Sequence, residues 1–325
     1  MKKKMLPLAI AVAMAPGFAT AADVSGFADI VYTISDDQAT GVTTPSPTEG
    51  KFDASGEIDF AASPTDGVTV RVDIDVHLDG NGNSTLGDGD AANLEQAFFA
   101  WNASEGVTVL GGLFNNPVGM ECGDAPCMWG TNAGVISNIL DSQTALYGNN
   151  VAGLAVAGVV GPATVTLGYL NDLGHTDEEN SIALVVNATP IEGLDLELGF
   201  VTQADQAKNA SSAEDVTDFN VSYMIPGVEG LSVALDYLTA GKTIDSAYEF
   251  MINYSYNEFG FGVRLEEVSY EATGAADSER TTFHASYQVA SNLVAILEVA
   301  DGDDKNPGAG IEADSLTTLE LIATF

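Results

Sequence analysis

An alternation of apolar and polar residues with a period of two runs through nearly the whole chain. In the clearest segment, 68–78, Val, Ile and Leu occupy every second position, and Thr, Arg, Asp and His stand between them. Successive side chains of a strand point to opposite faces, whereas a helix repeats every 3.6 residues, so the pattern predicts strands with one aliphatic and one charged face. The pattern recurs at 52–60, 194–200, 231–237, 248–256, 283–289 and 293–299.

The connections between these strands are of two kinds. Seven are tight turns, at 64–67, 103–106, 161–162, 190–193, 226–230, 257–260 and 291–292. Eight are longer stretches rich in Gly, Asp, Asn and Thr. Short turns at one end and longer loops at the other, joining about sixteen strands, predict an all-β fold, a transmembrane antiparallel β-barrel with both chain ends on the periplasmic side.

A soluble sandwich or β-solenoid is the alternative fold. Its dry core would have to hold the second row of each strand, which carries Asp, Glu, Ser, Thr and Arg. A barrel that is apolar outside and wet inside accommodates both rows. The longest apolar run, Val151 to Val160, is far below the ~20 residues of a spanning helix, so a helical membrane protein is excluded.

The two ends of the chain point to export. Lys2 to Lys4 precede the short apolar stretch 5–18 and the small-residue sequence Ala19-Thr20-Ala21, a pattern typical of a secretory signal peptide. We therefore predict a signal peptide at 1–21, removed after Ala21, and a barrel domain at 22–325. The alternative is an uncleaved anchor, but the apolar stretch is shorter than the ~20 residues that span a bilayer.

The last strand alternates as well, and Phe325 is its final residue. This end resembles the C-terminal strand of Gram-negative outer-membrane proteins that the barrel-assembly machinery recognises. The alternative is a final strand that merely ends in Phe. We expect the last strand to pair with a first strand near Phe27 to Ile34, because an open sheet edge is not tolerated in lipid.

The charge of the chain limits its partners. The sequence has 47 acids and 10 bases, a formal charge of −37. Such a chain repels phosphates, so nucleic acid is excluded as a partner. If the acids line the lumen, we expect cations to pass preferentially. The alternative is that the acidity reflects a saline habitat and lies mostly in exposed loops.

A local match adds a family resemblance. Asn93-Leu94-Glu95-Gln96-Ala97-Phe98-Phe99, followed by Gly112 to Glu121, resembles a strand–turn–strand segment of the Gram-negative porins, both general porins and the putative β-barrel porins. Leu113, where the family has a base, and the cysteine pair depart from that pattern. The resemblance implies an outer-membrane channel for passive diffusion of ions and small hydrophilic solutes. It also implies a homotrimer in contact with outer-membrane lipid and lipopolysaccharide.

Two other functions stay open at this stage. One is a channel dedicated to a particular solute, and the other is a structural or adhesive surface barrel. An enzyme is not expected, because only His77, His175 and His284 could act as a base near neutral pH and none lies in a nucleophile motif.

The connection 115–150 is unusually long. A loop of about 35 residues in a compact barrel needs a functional or a disordered explanation, and its Met, Trp, Val, Ile and Leu residues argue against disorder. By resemblance to porins it folds into the lumen and narrows it; the alternative is an external cap. Glu121, Asp124 and Asp141 are the predicted constriction residues.

The alternation also assigns the lumen wall. With the aliphatic rows facing lipid, we expect these polar residues to face water in the lumen: Asp53, Glu57, Asp59, Arg71, Asp73, Asp75, His77, Asp195, Glu197, Asp236, Glu249, Arg264, Arg280 and His284.

Two further motifs give weaker signals. Cys122 and Cys127 lie close together, and oxidising conditions outside the cytoplasm favour a local disulfide over two free thiols. No His lies nearby to complete a zinc site. Asp79, Asn81, Asn83 and Asp90 approach a calcium loop, but Ser84 replaces the usual Gly, so a flexible polar loop is the favoured interpretation. No cofactor is predicted.

Overall fold

The computed structural model describes residues 23–35, 50–78, 93–144, 149–173, 179–203, 214–271, 277–303 and 315–325. Within them the chain forms sixteen strands and one helix of nine residues, α1 (Val135–Gln143). The strands are β1 (Asp23–Ser35), β2 (Lys51–Thr65), β3 (Val68–Leu78), β4 (Asn93–Ser104), β5 (Val107–Asn115), β6 (Asn150–Val160), β7 (Ala163–Leu170), β8 (Ser181–Ile191), β9 (Leu194–Val201), β10 (Val216–Met224), β11 (Leu231–Ala240), β12 (Ile244–Tyr256), β13 (Phe259–Tyr270), β14 (Ser278–Ala290), β15 (Leu293–Asp303) and β16 (Ser315–Thr324). Among the described residues, no helix is both long and apolar enough to cross a membrane.

Each strand pairs with its neighbours in the chain, and the last strand closes the sheet. β16 pairs antiparallel with β1, from Phe27 opposite Thr324 to Ser35 opposite Leu316. The expected closure is thus confirmed, and the barrel has no free edge that lipid would leave without hydrogen-bond partners. The soluble sandwich and the solenoid are excluded by the same pairing.

The two ends of the barrel differ as the sequence predicts. At one end the seven connections have two to six residues, the longest being 225–230 between β10 and β11. The eight connections at the other end alternate with them. The segment 116–149 between β5 and β6 is the longest of these eight, and 241–243 between β11 and β12, with three residues, is as short as the turns. Because the number of strands is even, the start of β1 and the end of β16 lie at the same end of the barrel as the short turns.

The two faces of the wall carry opposite chemistry. Outward-facing side chains are large and apolar, and Phe52, Leu154 and Phe283 are 68%, 54% and 55% exposed. Inward-facing side chains are polar, and Asp73 and Arg264 are fully buried. The alternation therefore places the apolar row on the outside, which is the arrangement of a barrel whose solvent outside is lipid.

Aromatic residues gather on the outer face near the short turns. The ring of Phe259 lies 5.0 Å from that of Tyr287 and 6.3 Å from that of Phe261. Tyr256 is exposed on the other side of the β12–β13 turn from Phe259, and Trp101 is exposed near the β4–β5 turn. Such a girdle marks the level at which a barrel meets the membrane interface.

Closure of the barrel can be tested by cross-linking. Thr33 lies opposite Thr318 across β1 and β16, where directly opposed Cβ atoms are about 4.5–5.5 Å apart. With Cys122 and Cys127 changed to Ser, the double variant Thr33→Cys/Thr318→Cys should form a disulfide, seen as a reduction-sensitive shift on a denaturing gel. Thr33→Cys/Thr282→Cys is the control, since Thr282 lies on β14, three strands away. Equal cross-linking of both pairs would contradict the closure.

Candidate functional site

The segment 116–149 is here called the inner loop, and its described residues, 116–144 and 149, lie inside the barrel. The backbone N–H of Gly119 donates to Glu197 Oε1 on β9 at 2.9 Å. Val118, 2% exposed, packs on the inward face of β9 at Gly199. The inner loop therefore contacts side chains that point into the lumen, and it is not an external cap.

The helix of the inner loop begins without a capping side chain of its own. Gly134 precedes α1 and makes no side-chain cap, and the first turn contains no acid. The free N–H groups of a helix N-terminus, which carry partial positive charge, need acceptors. Carboxylates provide them: Gly134 N donates to Glu121 Oε2 (2.6 Å), Val135 N to Glu266 Oε1 (2.9 Å) and Ile136 N to Glu249 Oε1 (2.6 Å).

Two arginines of the wall hold two of these carboxylates, Glu121 and Glu266. Arg280 on β14 makes a bidentate pair with Glu266, at 2.6 and 2.7 Å. Arg264 on β13 lies 3.3 Å from Glu121 and 3.4 Å from Glu266. Each guanidinium also donates to the inner loop, Arg264 to Asn132 O at 2.8 Å and Arg280 to Ala133 O at 3.0 Å. The wall and the inner loop thus share one network of buried charges, here called the anchor network (Glu121, Glu249, Arg264, Glu266 and Arg280).

Apolar packing completes the attachment. Val135, Ile136, Ile139 and Leu140 form one face of α1 and are at most 2% exposed. They join a buried cluster that includes Val201, Leu238 and other inward side chains of the wall. The helix therefore packs its apolar face on the wall rather than projecting freely into the lumen.

A second attachment of the inner loop to the wall lies just before α1, at residues 129–132. The Trp129 ring is 4.3 Å from the His284 ring and 5.0 Å from the Arg264 guanidinium carbon. Glu298 on β15 accepts hydrogen bonds from Thr131 N at 2.8 Å and from the Asn132 side-chain amide at 2.5 Å. The β13–β15 wall thus holds residues 129–132 by aromatic, cation–π and charge-assisted contacts.

Another part of the wall, formed by β2, β3 and β4, is acidic. Arg71 pairs with three carboxylates there, with N–O distances of 3.5 Å to Glu57, 2.9 Å to Asp59 and 2.6 Å to Asp73. Glu95 on β4 is also buried. One guanidinium therefore faces an excess of negative charge on this side of the lumen.

Asp124 brings the inner loop to that acidic wall. Its backbone carbonyl accepts from Cys127 N at 2.9 Å and Met128 N at 3.0 Å, and a disulfide joins Cys122 to Cys127 with Cα atoms 6.0 Å apart. These bonds fix the turn that presents the Asp124 side chain. Burial raises the pKa of Asp124 to about 6, and the acids Asp75 and Asp59 add to the increase while Arg71 opposes it.

The three predicted constriction residues have different surroundings. Glu121 is 9% exposed and its carboxylate is held in the anchor network. Asp124 is half-buried beside the acidic wall. Asp141 is exposed on α1, and it accepts a hydrogen bond from Asn149 N at 2.6 Å.

The expected wall residues stand at inward positions of their strands. This holds for Asp53, Glu57, Asp59, Arg71, Asp73, Asp75, Asp195, Glu197, Asp236, Glu249, Arg264, Arg280 and His284. The backbone of His77 pairs with Ser55 on β2, but its side chain lies outside the described part. The signal peptide and the calcium-loop residues Asp79, Asn81, Asn83 and Asp90 lie outside the described residues too.

Seven of the twelve buried acids were not predicted to face the lumen, and three of these seven, Glu95, Glu266 and Glu298, belong to the site. The register of β3 and β4 slips at Glu95, so that Glu95 and Gln96 are both buried. Counting back from the outward-facing Phe99 with strict alternation would place Glu95 outside. Glu266 and Glu298 needed no such irregularity, because each follows the alternation of its own strand.

Comparison with known proteins agrees with this geometry. The sequence profile of a family described as Gram-negative porin matches residues 8–324. The chain belongs to this family. As a porin, it has the fold of channel proteins and the outer membrane as its implied location. A comparison with curated protein sequences found no match.

Solved porin structures share the fold of this porin. A triple mutant of Rhodopseudomonas blastica porin is 16% identical, with a TM-score of 0.60 over 94% of this chain and 100% of that one. OmpF of Salmonella typhi, in complex with daunomycin, is 12% identical, with a TM-score of 0.67 over 94% and 97% of the two chains.

Loss of one cap charge should loosen the helix. Glu249→Gln keeps the size of the side chain but removes the negative charge that faces the N-terminus of α1. A hydrogen bond to a charged group contributes about 1 kcal/mol more than a neutral one, so we expect about fivefold faster hydrogen exchange of the amides at 135–137. Glu258→Gln, exposed at the β12–β13 turn, is the control. Unchanged exchange in Glu249→Gln would show that the cap does not hold the helix.

The backbone of the inner loop lies so close to Glu249 at residue 134 that a larger side chain there tests the position of the loop. A Cβ at Gly134 would collide with the carboxylate of Glu249, whereas one at Gly158 on β6 would meet nothing within 4 Å. Gly134→Ala should therefore displace the Glu249 carboxylate from its hydrogen bond to Ile136 N, loosen the start of α1 and alter single-channel conductance, and Gly158→Ala should leave the conductance at the parent value. Parent-like currents from both variants would contradict the position given to residue 134.

Proposed function

We propose that this porin forms a water-filled, cation-preferring channel for the passive diffusion of ions and small hydrophilic solutes. The observation that carries the proposal is the charge inside the barrel. Twelve acids but only two bases are buried among the described residues: Asp29, Glu57, Asp73, Glu95, Asp172, Glu197, Asp218, Asp236, Glu249, Glu266, Glu298 and Glu320, with Arg264 and Arg280.

The distribution of the bases strengthens the proposal. Arg264 and Arg280 are held by carboxylates of the anchor network, so little of their charge is available to attract anions. Arg71 faces several acids on the other wall. A solute that crosses the lumen therefore passes mainly negative groups, and a low-dielectric wall extends their field.

The inner loop supplies the narrowing that such selectivity needs. It contacts the β9 wall through Gly119 and the β12–β14 walls through the anchor network. Asp124 approaches the β2–β4 wall. A fixed charge acts most strongly on a passing ion where the passage is narrow. We therefore assign the largest effect on ion selectivity to Asp124 rather than to acids at the barrel rim.

Other features of the proposal come from the sequence and from the family resemblance. Removal of residues 1–21, a homotrimer, contact with lipopolysaccharide and recognition by the barrel-assembly machinery stay predictions. Size-exclusion chromatography with light scattering in mild detergent measures the oligomeric state directly.

Reversal potentials in planar bilayers test the charge preference. In a KCl gradient with chelator in both chambers, the parent should prefer K⁺, and the preference should fall between 0.1 M and 1 M salt as the Debye length falls from ~10 to ~3 Å. A unit charge acts on an ion about 10 Å away in water by ~0.4 kcal/mol, or about twofold in relative permeability. Asp124→Asn should lower the K⁺/Cl⁻ permeability ratio by about that factor.

The matched control removes one acid elsewhere. Asp301 lies at the loop end of β15 and is exposed at an outward position, so Asp301→Asn should change the ratio little. Equal effects of the two substitutions would favour general surface acidity, as in a saline habitat. Anion preference in the parent would contradict the proposal altogether.

A further inference from the structure

We propose that Glu57, Glu95 and Asp124 bind one Ca²⁺ ion between the barrel wall and the inner loop. One carboxylate oxygen from each residue lies within 4.8 Å of the others. Two ligands on opposite sides of a Ca²⁺ ion, each about 2.4 Å from it, are about 4.8 Å apart. The three oxygens can therefore share a single ion.

Glu95 supplies the independent sign of a missing partner. It is 3% exposed, and among the described residues its Oε2 has no hydrogen-bond partner, while its Oε1 accepts from the Asn150 amide at 3.5 Å. A buried carboxylate without partners is costly. A cation between Glu95, Glu57 and Asp124 would satisfy this oxygen and offset the repulsion among the three acids.

A neighbouring acid cluster shows the contrast. Glu57, Asp59 and Asp73 also lie close enough to share an ion, but Arg71 forms ion pairs with all three. In the described part of the chain, Glu95 and Asp124 form no ion pair with any base. Arg71 pairs with one member of the second cluster, Glu57, and a cation would supply the positive charge that Glu95 and Asp124 do not receive from an ion pair with a described base.

The ligand chemistry favours Ca²⁺ over other cations. All three side chains offer hard carboxylate oxygens, and no His or Cys that would favour a transition metal belongs to the cluster. Ca²⁺ accepts irregular geometry from such oxygens, whereas Mg²⁺ demands near-octahedral geometry and retains several waters. The disulfide-closed turn that holds Asp124 limits how far this ligand can adjust.

An ion here would couple the loop to a part of the wall that the anchor network does not reach. It would bridge β2 and β4 to residue 124, and it would neutralise charge where the passage is narrow. Ca²⁺ should therefore lower the preference for K⁺. The site itself follows from the barrel geometry, and only this effect on permeation rests on the proposed channel function.

Calorimetric titration of Ca²⁺ into the chelator-treated, refolded barrel in detergent tests the site. We expect one ion per chain with a dissociation constant below ~1 mM, and weaker binding of Mg²⁺. Glu95→Gln and Asp124→Asn should each weaken Ca²⁺ binding by about tenfold or more. The controls are Glu105→Gln in the β4–β5 turn and Asp301→Asn, both exposed, which should bind as the parent does.

The outcomes separate the site from the channel. Absence of saturable Ca²⁺ binding below ~1 mM in the folded parent, or parent-like binding in both Glu95→Gln and Asp124→Asn, overturns the site. Heat-modifiable gel mobility establishes that each variant has folded, and Glu57→Gln provides a third variant if one of the others has not. Binding that the variants weaken, in a barrel that carries no current, supports the site and contradicts the proposed channel.

Discussion

The arrangement of the lumen depends on the carboxylates that cap the N-terminus of α1. Glu249 and Glu266 on the wall and Glu121 in the inner loop accept the first N–H groups of the helix, and Arg264 and Arg280 hold two of these acids in place. In a lipid-facing barrel the apolar residues of the strands mostly face the lipid, and the residues that face the lumen are mostly polar. The inner loop therefore attaches largely through charge, with one apolar helix face as its complement.

This attachment divides the lumen into two unlike sides. On β13 and β14 the acids and arginines pair with each other and with the loop backbone. On β2–β4 a single guanidinium serves several acids, and Asp124 adds another. Structural charge thus concentrates on one side and unbalanced charge on the other. The proposed cation preference and the proposed cation site both rest on the second side.

Much of the wall could be predicted from the sequence, because period-two alternation fixes which side chain faces inward once one face is known to be apolar. The same alternation predicts that Glu266 faces inward. It does not predict this for Glu95, since a bulge reverses its direction, although the adjacent polar pair Glu95-Gln96 in an otherwise alternating strand was a signal. The anchoring of Glu121 depends on contacts with β13, 143 positions away in the chain, and no local pattern encodes such a contact.

The central claim is that the inner loop lies in the lumen, and a cross-link tests it most directly. A Cβ at residue 199 would lie 3.2 Å from Cβ of Val118, close to the ~3.8 Å typical of a disulfide. With Cys122 and Cys127 changed to Ser, Val118→Cys/Gly199→Cys should cross-link spontaneously in folded barrels, as mass spectrometry of proteolytic fragments would show. Two free thiols, with Cys at 118 labelled by a reagent too large to enter the barrel, would place the loop outside and contradict the account.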